Sequence, residues 1–359
     1  MHVRAHDQHL CDAVEKALQP RWALGCGSWL CVGLIVVWLR QQKREREKMS
    51  TQLDPTEATP PRQRVATAIK ALRSMLNTTA YIPWLGRELA LRCFLTPPRI
   101  PVRLPAEGEA LWSLATRQDL ALGEGRLTLW RWRPTGAARG RVLLVHGWTT
   151  NSRCWLAYVN ALLQAGLEVW SLDAPAHGAS SGRSSDLPSF IRGLHAALDH
   201  IGEVDVLIGH SLGAASIPGT LCGSHGLGPK REVGAVVLLS SPNSPSIYTK
   251  VFSEKIGLSP RTAAGLTDAF DRRYGARETL QTTGEQLGIL NASALLVHDQ
   301  GDRVIPIQEF ERLSAEAEEK GARLSLHKTA GLDHAGVLMD QETIGRVVSF
   351  SLDKCGEAA

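Results

Sequence analysis

Val204-Asp205-Val206-Leu207-Ile208-Gly209-His210-Ser211-Leu212-Gly213-Ala214-Ala215-Ser216 passes from an apolar run into a run of small residues, with a serine between them. Residues 204–208 have the composition of a buried strand, and 212–222 read as a helix. Ser211 therefore falls on a sharp strand-to-helix turn. A serine there takes strained backbone angles, and the glycines two residues to either side let strand and helix approach closely. Its hydroxyl then projects from the sheet at a helix N-terminus, where backbone N–H groups favour developing negative charge. Pro218 is expected to kink or shorten that helix.

On both sides of this turn the chain alternates strand and helix signals, which argues for an α/β fold with a mainly parallel sheet covered on both faces. Candidate strands are 109–115, 126–133, 141–145, 167–172, 204–208, 235–239, 293–298 and 323–328, the first two reading as an edge hairpin. Helical stretches fit at 153–165, 187–201, 212–222 and 307–320.

A serine hydroxyl is a weak nucleophile, so it needs a base, and the base needs an orienting acid. After the strand at 293–298 comes Asp299-Gln300-Gly301-Asp302-Arg303-Val304-Ile305-Pro306, and after 323–328 comes Gly331-Leu332-Asp333-His334. The order Ser, Asp, His, the Gly209–Gly213 elbow, His146-Gly147-Trp148 after a strand and Asp173-Ala174-Pro175-Ala176-His177-Gly178 together resemble the α/β-hydrolase superfamily, in its serine-nucleophile branch. The resemblance covers roughly residues 106–352. It implies an eight-stranded, mostly parallel sheet with helices on both faces and a small helical cap at about 243–291, preceded here by an N-terminal helical extension.

Carried over position by position, the resemblance makes Ser211 the nucleophile, His334 the base and Asp302 the acid, with Asp299 as the alternative acid. The backbone N–H groups of Trp148 and Leu212 match the oxyanion donors. Asp173 and His177 fall in a turn the family uses structurally, and His210 reads as shaping the elbow. The implied reaction is hydrolysis of a carboxylic ester or thioester, an uncharged and partly apolar acyl substrate being the mildest guess. A serine nucleophile disfavours the dehalogenase and epoxide hydrolase branches. Two other readings stand beside it: an inactive hydrolase fold kept as a receptor or scaffold, and an acyltransferase. In the cap, Phe252, Ile256, Leu258, Leu266, Phe270 and Leu280 read either as pocket lining or as packing against the hydrolase domain.

The 359 residues accommodate one catalytic domain, 106–355, plus an appendage. Much of the formal charge of +4 sits in one run, Arg40, Lys43, Arg44, Arg46 and Lys48, which is no nucleic-acid footprint. Seven scattered cysteines suggest neither a disulfide framework nor zinc and fit a reducing compartment. No metal-ligand cluster or dinucleotide fingerprint appears, so no cofactor is implied. Trp22 to Leu39 is uncharged and mostly apolar, about 27 Å long as a helix and near the span of a bilayer core. The basic run after it would keep the following domain in the cytoplasm, anchored to the inner face of the membrane. Met49 also reads as an ordinary protein start, so residues 1–48 are either an anchor or upstream sequence. Residues 49–105 read as accessory helices and a Pro-rich linker. Val65, Ile69, Leu72 and Leu76 share one helical face suited to packing on the catalytic domain or to lying on a membrane.

Overall fold

A computed structural model describes residues 61–276 and 280–357. The apolar stretch 22–39 lies outside the described residues; among those described, no helix is long and apolar enough to cross a membrane. In chain order come helices α1 (Pro61–Thr79), α2 (Pro83–Leu95) and α3 (Ala106–Ser113), then strands β1 (Thr116–Leu122), β2 (Gly125–Trp132) and β3 (Arg141–Val145). There follow α4 (Leu156–Gln164), β4 (Glu168–Asp173), α5 (Leu187–Ile201), β5 (Val206–His210), α6 (Leu212–Leu221) and β6 (Ala235–Leu239). Helices α7 (Ser246–Ile256), α8 (Pro260–Tyr274) and α9 (Thr283–Gly288) separate β6 from β7 (Ser293–Asp299). The chain closes with α10 (Ile307–Glu319), β8 (Arg323–Thr329), α11 (Asp333–Gly336) and α12 (Gln341–Glu357).

The eight strands form one sheet in the order β1-β2-β4-β3-β5-β6-β7-β8. Only the β1–β2 and β2–β4 pairings are antiparallel. Because successive side chains of a strand point to opposite faces, a strand buried on both faces is apolar throughout. Strand β3 shows this directly: Leu143 and Val145 join the core on one face, Val142 and Leu144 the core on the other. Phe190 and Leu194 of α5, Ile217 of α6 and Phe310 of α10 cover the first face. Tyr158 and Leu162 of α4 and Val347 of α12 cover the second.

One edge differs from the expectation. Residues 106–113 are helical, because Pro105 stands at the N-cap and Glu107 and Glu109 occupy the first turn, where carboxylates favour a helix. The hairpin lies just beyond it, β1 turning into β2 through Gly123-Glu124, with Gly123 at φ +57° and Leu122 paired to Gly125. Helix α6 contains Pro218 within its span.

A third apolar cluster lies outside the two sheet cores. Leu76 of α1 and Ala90, Leu91 and Leu95 of α2 pack with Leu266 and Ala269 of α8, and Phe252 and Leu258 join them. Phe94 meets Phe252 edge-on at 5.5 Å and Phe270 at 6.2 Å. Phe252, Leu258, Leu266 and Phe270 of the 243–291 segment thus find partners in the N-terminal helices, whereas Tyr248 and Leu287 pack in the first sheet core. This layer is tied to the sheet domain by the Ser185 N–H donating to the Leu95 carbonyl, and by Tyr274 Oη donating to Asp186 at 2.8 Å.

Gly213 marks the tightest approach of α6 to the sheet. A Cβ there would stand 2.3 Å from both the Val145 and the His146 carbonyl oxygens, and backbone atoms cannot swing aside. Gly213→Ala is therefore expected to cost about 3 kcal/mol or more, read as a lowered urea midpoint. An unchanged midpoint would mean that α6 shifts freely against β3.

Candidate active site

Among the described residues, five other than glycine hold a positive φ: Thr149, Ala176, Ser211, Ser240 and Asp333. All follow the carboxyl ends of strands, namely β3, β4, β5, β6 and β8. Such backbone costs roughly 1–2 kcal/mol per residue, so strain is concentrated along one edge of the sheet. Ser211 sits there at φ 55°, ψ −123° as the N-cap of α6, and its N–H donates to the Leu239 carbonyl at the end of β6.

Two of the residues singled out in sequence are joined directly. His334 Nδ1–H donates to Asp302 Oδ2 at 2.7 Å, with the carboxylate fully buried and the histidine side chain 15% exposed. The other Asp302 oxygen accepts the N–H groups of Val304 and Ile305 at 2.7 and 2.9 Å. Burial alone would raise the Asp302 pKa. The His334 bond and charge, with those two N–H groups, outweigh it and leave the pKa lowered, so the group is a carboxylate at neutral pH. A proton on Nδ1 leaves Nε2 with its lone pair.

The His146–Trp148 loop lies against Ser211: a Cβ on Gly147 would stand 2.9 Å from Ser211 Cβ. The Gly147 carbonyl accepts from His146 Nδ1 at 2.7 Å and from Thr150 Oγ1 at 3.1 Å. In a trans peptide the N–H points opposite the carbonyl, so these two donors also fix the direction of the Trp148 N–H. Leu212 opens α6, and first-turn N–H groups have no partner within their helix. Ser211 Oγ makes no hydrogen bond with the described residues, to His334 or otherwise. Such bonds are often long in unliganded sites and tighten around substrate.

Residues 142–346 match the model of the alpha/beta hydrolase family. The chain belongs to the α/β-hydrolase family. Among solved structures, it is similar to an esterase from Pyrococcus furiosus at 17% identity and a TM-score of 0.56, over 73% of this chain and 98% of that one. It is also similar to a bromoperoxidase from Bacillus anthracis at 18% identity and a TM-score of 0.50, over 66% and 100% of the two chains. No curated protein matches the sequence.

In this α/β-hydrolase, Asp299 and Asp302 have separate surroundings. Asp299 accepts the N–H groups of Gly301, Leu332 and Asp333 and the Thr329 hydroxyl, so it braces the loop that presents His334. Asp173 is likewise saturated, accepting from Trp130 Nε1 and from the Ser152 and Ala179 N–H groups. Arg99, from the Pro-rich linker, reaches this turn and donates to the carbonyls of Gly178, Ser180 and Gly182. Neither the Asp299 brace nor the Arg99 clasp was legible in sequence, since a bond to backbone leaves no motif.

Three histidines beside the site are held neutral. His146 Nε2 accepts from the Ala174 N–H at 3.0 Å, and His177 Nε2 from the Thr149 N–H at 3.3 Å. Burial is the largest cause lowering the pKa of His146, and it takes His177 and His210 down to about 3, neighbouring histidine charges adding to the effect. Each protonates in the unfolded chain near pH 6.5, before it does in the folded one, so its stabilising contribution is lost as pH falls. Between about pH 6.5 and 3, His177 and His210 are each expected to remove about 1.4 kcal/mol of stability per pH unit. Urea midpoints at pH 7, 6 and 5 check this, and a flat series would mean that the rings are solvated.

Proposed function

We propose that this α/β-hydrolase is a serine hydrolase that cleaves a carboxylic ester or thioester through an acyl-enzyme on Ser211. The observation that carries the reading is the 2.7 Å bond from His334 Nδ1 to the buried Asp302 carboxylate, at the strained sheet edge that presents Ser211. His334 Nε2 takes the Ser211 proton as the oxygen attacks the substrate carbonyl, and Asp302 stabilises the imidazolium. The Trp148 and Leu212 N–H groups hold the oxyanion of the tetrahedral intermediate. His334 then passes the proton to the leaving alcohol or thiol. Water, activated by the same nitrogen, releases the acid and restores Ser211. These steps call for no metal or cofactor.

The substrate is a small acyl compound. Helices α7 and α8 pack with α1 and α2, and in this reading that layer serves as the cap over the acyl chain. The domain plan that supports this reading is an N-terminal helical segment and linker through about 105, followed by the hydrolase domain to about 355.

Intact-mass analysis after incubation with a fluorophosphonate tests the mechanism. The native chain should gain one phosphonyl adduct and Ser211→Ala none. A folded native chain that takes no adduct, or an adduct that persists in Ser211→Ala, would remove Ser211 from the role.

A further inference from the structure

We propose that His210, the residue before Ser211, is a positioning residue that fixes the His334 loop to the strand-to-helix turn through a bond from its Nε2–H to the His334 carbonyl. The inference rests on the roles given above to Ser211, His334 and Asp302. The contact measures 2.9 Å and joins residues 124 apart in the chain. The His210 ring is 3% exposed and lies 4.8 Å from the His334 ring, centroid to centroid.

Its other nitrogen, Nδ1, is buried without a hydrogen-bond partner among the described residues. It faces the oxyanion loop, since a Cβ on Gly147 would stand 3.1 Å from it. The ring therefore fills the space between the 146–148 loop and the His334 loop, directly behind Ser211. A carbonyl only accepts, so Nε2 must carry the proton, and Nδ1 is left with a lone pair. A bare lone pair is cheaper to bury than an orphaned N–H or a charge. Burial and the neighbouring His334 keep the ring neutral far below pH 7. His210 thus adds no positive charge beside His334 when the latter becomes an imidazolium.

The other restraints around His334 act on N–H groups, on the Asp333 side chain and on the ring. Asp299 holds the N–H groups of Leu332 and Asp333, the Asp333 carboxylate holds the His334 N–H, and Asp302 holds the His334 ring at Nδ1. The carbonyl of His334 itself is taken by His210 alone among the described residues. Removing that donor leaves the His334 N–H and ring held but its carbonyl unanchored, so that the ring can move relative to Ser211. Catalytic geometry tolerates little of this: a misplacement of about 1 Å costs on the order of 100-fold.

Two substitutions separate donor from filler. His210→Phe keeps a ring of similar size without an N–H, and His210→Gln keeps an N–H of similar reach without a ring. With p-nitrophenyl butanoate, His210→Phe is expected to lower kcat by roughly 10- to 100-fold with little change in KM, and His210→Gln to recover most of the loss. The far-downfield proton signal of His334 Nδ1–H should survive in His210→Gln and broaden or vanish in His210→Phe. Full rate in His210→Phe, or equal loss in both variants, would overturn the proposal. Nitrogen-15 spectra of the unsubstituted full chain give a readout that needs no turnover: His210 should be the Nε2–H tautomer, and the Nδ1–H tautomer would refute the bond. A native chain that neither labels nor hydrolyses, yet shows this tautomer, would sink the hydrolase reading and leave the His210 contact standing.

Discussion

Ser211→Ala is expected to lower ester turnover by about 10^6-fold, the scale seen when a triad serine is removed and only binding and oxyanion stabilisation remain. Stability should hardly move, within about 1 kcal/mol, because Ser211 Oγ makes no hydrogen bond with the described residues and alanine inherits the same φ of 55°. Loss of rate with retained fold is what a chemical role predicts. Thermal unfolding and turnover on one preparation check both halves. Turnover surviving in Ser211→Ala would end the acyl-enzyme mechanism, whereas collapse of the fold would show that the turn depends on the hydroxyl.

Asp302→Asn comes next, with an expected fall in kcat of about 10^4-fold. The asparagine oxygen can still accept the Val304 and Ile305 N–H groups, so its NH2 is turned toward His334. That amide donates, which forces Nδ1 of His334 to accept and moves the proton to Nε2. The lone pair that should take the Ser211 proton is then gone. Asp299→Asn is the paired control. Asp299 touches the backbone around His334 and not its ring, so its substitution should show mainly as a lowered unfolding midpoint. The reverse pattern, rate lost at 299 and kept at 302, would reassign the acid.

The sheet was legible in sequence because its parallel strands are buried on both faces. Runs such as Arg141-Val142-Leu143-Leu144-Val145 and Ala235-Val236-Val237-Leu238-Leu239 admit few other readings, and β3 and β6 fall on them without offset. The edge was misread where that signal weakens. Thr116–Leu122 is half exposed and carries Arg117, Gln118 and Asp119, so the more apolar 109–115 drew the strand assignment. Ser211, Asp302 and His334 announced themselves by local spacing, and the geometry brings the last two into contact. What sequence did not offer was the set of bonds to backbone, from Asp299, from Arg99 and from His210, since any residue can present a carbonyl or an N–H. The pairing of Phe94 with Phe252 and Phe270 was equally hidden, because it joins segments more than 150 positions apart and follows no periodicity.

The layer built from α1, α2, α7 and α8 bears on how such a gene can be cut and spliced. The stretch shared with other family members, 142–346, is shorter than the unit that closes its own surfaces. A recombination joint placed just before residue 140 would inherit α7 and α8 without the helices that cover Leu266 and Phe252, and the Gly178–Gly182 turn without Arg99. The heritable module therefore begins upstream of α2. Shuffling among relatives that carry different N-terminal helices has to exchange both halves of the layer together.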